Sequence, residues 1–151
     1  MVPTGHIMEK LNHANNLFLE RKFQNAVKKY EEILEEEPRN LIALNNLGYT
    51  LSKLKKFDFA LECYNKSLEL DSNDKIVLVN KISLFRKTGQ LENAIEICNK
   101  ILEDDPDEFI VLYHKLRLLK KLKRFVESNE ICNKILKIYP NNIEIRNELI
   151  K

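Results

Sequence analysis

Residues 45–74 read NNLGYTLSKLKKFDFALECYNKSLELDSND, and this stretch decides the fold. Leu47, Gly48 and Leu51, with Ile42 and Leu44 just upstream, lay out one apolar stripe at helical spacing. Phe57, Ala60, Leu61, Tyr64, Leu68 and Leu70 lay out a second, with Lys55 and Lys56 at the turn between them. Working outward in steps of 34 residues, the same unit recurs. Ala26, Ala60, Ala94 and Ser128 share one slot, and Phe23, Phe57, Leu91 and Phe125 another. Tyr30, Tyr64, Cys98 and Cys132 share a third, and Leu34, Leu68, Leu102 and Leu136 a fourth. Pro38, Pro106 and Pro140 hold a fifth, with Ser72 in the remaining place. A helix pair copied four times predicts an all-α stack in which each copy buries its apolar face on its neighbours.

The register sets the boundaries. An unpatterned leader covers residues 1–6, with Met8 as an alternative start. Repeat one spans 7–40, repeat two 41–74, repeat three 75–108 and repeat four 109–142; residues 143–151 begin the first helix of a fifth copy. The prolines follow the second helices, where a residue that cannot continue the ladder is tolerated. Asn40, Asp74 and Asn142 stand where a side chain caps the next first helix, and Glu108 is a poorer cap at the matching place. Small residues, Ala14 and Gly48 in first helices and Ala26, Ala60 and Ala94 in second helices, predict close helix approach. Tyr30 and Tyr64 are expected to fill space toward the next copy.

Bulk properties agree. A hydrophobic fraction of 44% with 32% charged residues suits a soluble, helix-rich chain. No apolar stretch reaches the roughly 20 residues a membrane span needs, and residues 1–6 lack the layout of a signal peptide. Cys63, Cys98 and Cys132 fall at apolar helical positions and are read as buried reduced thiols in a cytoplasmic protein, rather than as a Cys98–Cys132 disulfide.

Leu47-Gly48, Leu51, Ala60, Tyr64 and the proline slot together resemble the tetratricopeptide repeat. KFQNAVKKYEEILEEEP (residues 22–38) and QLENAIEICNKILEDDP (residues 90–106) match its second-helix half, and the resemblance covers residues 7–142. The sequence departs from the pattern at Lys10, Leu44, Leu78 and Leu112, where an aromatic is usual. It departs again at Ile82 and Leu116, where Gly or Ala is usual; these are expected to weaken individual first helices. The resemblance implies a right-handed α-solenoid whose first helices line a concave groove that holds a peptide or helix of a partner protein. It also implies that the second, fifth, sixth, ninth, twelfth and thirteenth positions of each copy face that groove.

On those positions two sets of side chains stand out. The sixth reads Asn12, Asn46, Asn80 and His114, with Asn15 and Asn45 nearby. An Asn amide both donates and accepts, so such a ladder binds a peptide backbone of any sequence. Tyr49 and Tyr113 are further groove candidates. Charge supplies the second set. Repeats one, two and three are net acidic, whereas repeat four carries eight basic residues against two acidic ones, a net +6. Lys115, Arg117, Lys120, Lys121, Lys123 and Arg124 crowd its first helix and turn. Arg117, Lys120 and Lys121 take groove positions, and Arg86 and Lys87 extend the patch into repeat three. Such like charges repel on a helix by about a few tenths of a kcal/mol per pair, so local structure gains little from them. An acidic peptide partner is the expected ligand.

The chaperone-binding members of the family carry a five-residue clamp for a C-terminal carboxylate. In register from repeat one this chain has Leu11, Asn15, Asn46, Ile76 and Asn80; from repeat two it has Asn45, Tyr49, Asn80, Ile110 and His114. The clamp's cations are missing from both, which argues against that ligand. Catalysis is not expected: His6, His13 and His114 are scattered, and no metal-ligand spacing, nucleophile pairing or glycine-rich phosphate loop accompanies them. No cofactor is expected. RNA binding is the rival reading, disfavoured because the cations sit in one copy. Self-association is a third, since Ile143, Ile145, Leu149 and Ile150 cover the end of repeat four only in part. The expectation there is either a fragment of a longer array or ends that pair between chains.

Overall fold

The computed structural model describes residues 5–149, and among these it forms nine α-helices and no strand. They are α1 (Gly5–Leu19), α2 (Phe23–Glu36), α3 (Leu41–Lys53), α4 (Phe57–Leu70), α5 (Lys75–Thr88), α6 (Leu91–Asp104), α7 (Phe109–Lys121), α8 (Phe125–Ile138) and α9 (Ile143–Glu148). Odd-numbered helices are the first of each copy, and α1 takes in Gly5 and His6 from the leader. Contacts divide the chain into two compact units, one ending at Leu84 and the other beginning at Phe85.

In unit 1, α1 packs on α2, α2 on α3 and α3 on α4. The core gathers Leu11, Ala14, Ala26, Tyr30, Leu47, Ala60, Tyr64 and Val77. Gly48 explains the tight α3–α4 contact: a Cβ there would stand 2.7 Å from Cε1 and 2.9 Å from Cδ1 of Tyr64. Tyr64 thus closes onto the Gly48 of its own copy. In unit 2, α6 packs on α7, α7 on α8 and α8 on α9, around Leu112, Leu116, Cys132, Ile135 and Ile145. Here Leu116 replaces the small residue and Cys132 replaces the tyrosine, so bulk is exchanged between the two helices. Leu116 and Ile82 are both fully buried core residues.

Local chemistry sets the helix ends. Asn40 Oδ1 accepts from Ala43 N at 2.9 Å, Asp74 Oδ1 from Val77 N at 3.1 Å, and Asn142 Oδ1 from Ile145 N at 3.0 Å. These are the caps expected, and Glu108 makes no side-chain cap. The turns after the first helices share a feature that only one copy advertises. Arg21, Lys55, Gly89 and Lys123, all at position fifteen, have φ of 61°, 60°, 80° and 59°. Each left-handed residue lets the next amide reach back five residues, as in Lys56 N to Leu51 O at 2.9 Å and Arg124 N to Leu119 O at 2.9 Å.

Ile42 corrects the sequence reading. It is 47% exposed and stands outside the apolar stripe, because it lies two residues, about 200° of helix, from buried Leu44. Ser128, in the alanine slot, is buried with its hydroxyl donating to Phe125 O at 2.9 Å. The three thiols are buried and unbridged, and burial pushes Cys63 up to about 11 and Cys98 up to about 12. Ile150 lies outside the described residues.

Candidate functional site

The candidate side chains occupy first helices in both units, and each unit holds its own recess. In unit 1, Asn15 is the hub. Its Oδ1 accepts from Tyr30 Oη at 2.6 Å and from Asn46 Nδ2 at 3.1 Å. Asn80 Nδ2 donates to Asn45 Oδ1 at 2.8 Å. The asparagines therefore bond to one another across successive first helices, and Asn12 remains exposed on α1. Burial raises the Tyr30 phenol, with the facing Asn46 amide opposing it. This leaves Tyr30 a neutral donor.

Around that triad lies a recess of about 250 Å³. Asn15, Tyr30, Asn46 and Thr50 form its polar side, and Phe18, Leu19 and Tyr49 its rim. The Phe18 and Tyr49 rings meet at a tilt of 43° with centroids 5.5 Å apart, and Lys53 Nζ stands 5.0 Å over the Tyr49 ring. Thr50 donates its hydroxyl to Asn46 O at 2.7 Å, so it adds no unmet polar group.

In unit 2 the recess is larger, about 560 Å³, and every lining residue is cationic: Arg86, Lys87, Arg117, Lys120 and Lys121. Register relates the two recesses. Phe18 and Leu19 are positions twelve and thirteen of copy one, and Tyr49 is position nine of copy two. Arg86, Lys87 and Arg117 hold the same three positions in copies three and four. One architecture thus carries an aromatic and aliphatic rim in unit 1 and guanidinium and ammonium groups in unit 2.

A carboxylate already lies against this cationic set. Glu148, on α9, accepts from Arg117 Nη1 at 3.2 Å and is paired with Lys120, which also donates to the Glu148 carbonyl. The Lys120 contact, with Arg117 beside it, holds the Glu148 carboxyl below the usual range. Tyr113 donates its hydroxyl to Glu144 at 2.9 Å, a bond that raises the phenol. His114 is half-buried, and burial, reinforced by Arg86, pushes its pKa down, so its imidazole is neutral near pH 7. The basic cluster divides further at Arg124, which pairs with Glu127 at 2.6 Å and with Glu92 at 3.0 Å.

Sequence reasoning had singled out Asn15, Asn46 and Tyr49 around the first recess and all five residues of the second. It missed Phe18, Leu19, Tyr30 and Thr50, and it missed Glu148. The signal for Glu148 was available: it follows His114 by one repeat length, so it is the fifth member of the sixth-position row. Among the described residues no group of three or more His, Cys, Asp or Glu side chains is placed to hold a metal, and no helix is long and apolar enough to cross a membrane.

Comparison with known proteins gives the fold a family context. Residues 42–74 match the profile of the tetratricopeptide repeat. No curated protein sequence matches the chain. Among solved structures, a tetratricopeptide repeat protein from Parabacteroides merdae is similar with a TM-score of 0.86 at 22% identity, over 94% of this chain and 57% of that one. MamA from Desulfovibrio magneticus RS-1 follows with a TM-score of 0.84 at 16% identity, over 98% of this chain and 84% of its own. The second tetratricopeptide domain of human RPAP3, in complex with the HSP70 peptide SGPTIEEVD, is similar with a TM-score of 0.66 at 16% identity, over 74% of this chain and 92% of its own. At these identities the likeness is one of fold.

Proposed function

We propose that this chain, tetratricopeptide in fold and carrying that family's repeat at residues 42–74, is a non-catalytic protein-interaction module whose unit 2 binds acidic segments of a partner protein. The observation that carries the reading is the seat of Glu148: a carboxylate on a helix is held by Arg117 and Lys120 at the edge of a recess lined only by cations. An acidic peptide presents the same chemistry. Lys121 and Arg86, both exposed, supply charge beyond what Glu148 neutralises. The similar RPAP3 domain holds a peptide with two glutamates and an aspartate, which agrees with an acidic ligand. The missing clamp cations at Leu11, Ile76 and Asn80 speak against that particular peptide here. In unit 1 the asparagine rows, with one side of each amide spent on a neighbour, serve a ligand backbone with the other. A cytoplasmic setting, read from three thiols in apolar positions, belongs to the same proposal.

The test is the binding of a fluorescein-labelled oligoglutamate by anisotropy, with oligoglutamine as control. Affinity for oligoglutamate falls by at least about tenfold between about 0.1 M and 1 M salt, as the screening length shrinks from roughly 10 Å to 3 Å. Equal binding of oligoglutamine, or an affinity that salt does not move, overturns the reading. So does an RNA oligonucleotide that binds more tightly than oligoglutamate at matched salt.

A further inference from the structure

We infer that the unit 1 recess is a pocket for one uncharged apolar side chain, of leucine or phenylalanine class, on a partner peptide that carries an acidic residue beside it. The inference rests on the reading of the chain as a peptide-binding module and names the side-chain class that unit 1 selects.

Four observations carry it. First, no ionised side chain lines the recess, so a charged guest would lose its hydration with nothing to replace it. Second, its rim is apolar: Leu19 is 75% exposed and Tyr49 38%, with the Phe18 ring tilted against that of Tyr49. Such exposed apolar groups gain by being covered. Third, the hydroxyl and amide groups of the polar floor are joined to one another. Tyr30 Oη and Asn46 Nδ2 both donate to Asn15 Oδ1, so an apolar side chain leaves those bonds intact, and the remaining amide groups of Asn15 and Asn46 are met by the guest's own backbone. Fourth, the recess holds about 250 Å³, less than the roughly 300 Å³ where small-molecule pockets begin, which suits a side chain rather than a whole ligand.

Charge complementarity gives the neighbouring residue. Lys53 Nζ lies over the ring of Tyr49 at 5.0 Å and so sets an ammonium against one of the residues that line the recess. A carboxylate next to the inserted side chain meets that charge. The register positions of Phe18, Leu19 and Tyr49 carry Arg86, Lys87 and Arg117 in unit 2, where an apolar side chain has no comparable seat.

The experiment is an NMR titration of the full chain with N-acetyl-leucine amide and N-acetyl-phenylalanine amide, with N-acetyl-glutamine amide as the polar control. The expected result is saturable shifts of the Thr50 backbone amide and the Asn15 and Asn46 side-chain amides with the first two probes. Leu19→Glu, at an exposed position, weakens both by about tenfold, while Val126→Glu, equally exposed on α8, leaves them unchanged. Absent saturation with the apolar probes, equal shifts with the glutamine probe, or an undiminished response in Leu19→Glu overturns the inference. Salt-sensitive oligoglutamate binding alongside a silent unit 1 would retain the proposed function and reject this pocket alone.

Discussion

Two recesses in this molecule share repeat positions nine, twelve and thirteen and arrive at opposite chemistry. In unit 1 the position-nine residue of one copy meets the position-six residue of the next as an amide pair, Asn15 with Asn46 at 3.1 Å. In unit 2 the equivalent pair is ionic, Arg117 with Glu148 at 3.2 Å. Both pairs lie 31 residues apart, one helical turn short of the repeat length. The rims diverge in step, Phe18, Leu19 and Tyr49 against Arg86, Lys87 and Arg117. Even the cores differ: Gly48 under Tyr64 in one unit, Leu116 with Cys132 in the other. A repeat scaffold leaves its packing rules intact while its facing positions are free to specialise.

The largest expected effect concerns the cores. Leu116→Ala removes a fully buried side chain and costs roughly 3 kcal/mol in urea unfolding. Gly48→Leu forces the Tyr64 ring to move and costs about 2–3 kcal/mol. Adding Tyr64→Cys to Gly48→Leu copies the unit 2 solution into unit 1 and restores part of that loss. A double variant no more stable than the single one would break the idea of exchanged bulk.

Binding comes next. Arg117→Glu with Lys121→Glu lowers oligoglutamate affinity at least about tenfold, or roughly 1.4 kcal/mol, as read by anisotropy. Glu148→Gln removes the internal competitor and raises the same affinity severalfold. If Glu148→Gln weakens binding instead, the ion pair organises the recess rather than occupying it.

A smaller effect separates the turns. Gly89→Ala puts a side chain at φ 80° and destabilises by about 1 kcal/mol, whereas Lys123→Gly relieves the same conformation at φ 59° and stabilises by up to about 1 kcal/mol. Thermal melting distinguishes these signs. The smallest effect is with pH. The folded Glu148 carboxyl is held below its ordinary value of 4.5, so its contribution is present above that value and is lost as pH falls through the lower folded one. Glu148→Gln should therefore flatten the acid limb of a stability–pH profile by a few tenths of a kcal/mol, the scale of an exposed ion pair.

The 34-residue register made most of the scaffold legible: both helices of each copy, the caps at Asn40, Asp74 and Asn142, and the close approach at Gly48 are all written in residue type and spacing. Ile42 was misread because apolar character was counted without its angle around the helix. The left-handed turns were hidden because Arg21, Lys55 and Lys123 are not the residues that advertise them; only Gly89, in the same slot, does. The recesses were half legible. Residue type identified the asparagines and the cations, but the stagger that brings position nine onto position six belongs to helix packing, so Phe18, Leu19 and Glu148 were passed over.

The central claim is that the two recesses select opposite ligands, and one titration tests it directly. Assigned amide shifts are followed in a single sample as oligoglutamate and then N-acetyl-leucine amide are added. Oligoglutamate is expected to move Arg117, Lys120 and Lys121 and to leave Thr50 still, and the leucine probe to do the reverse. Oligoglutamate shifts centred on Asn15, Asn46 and Thr50, or a leucine probe that moves the cationic recess, would contradict it.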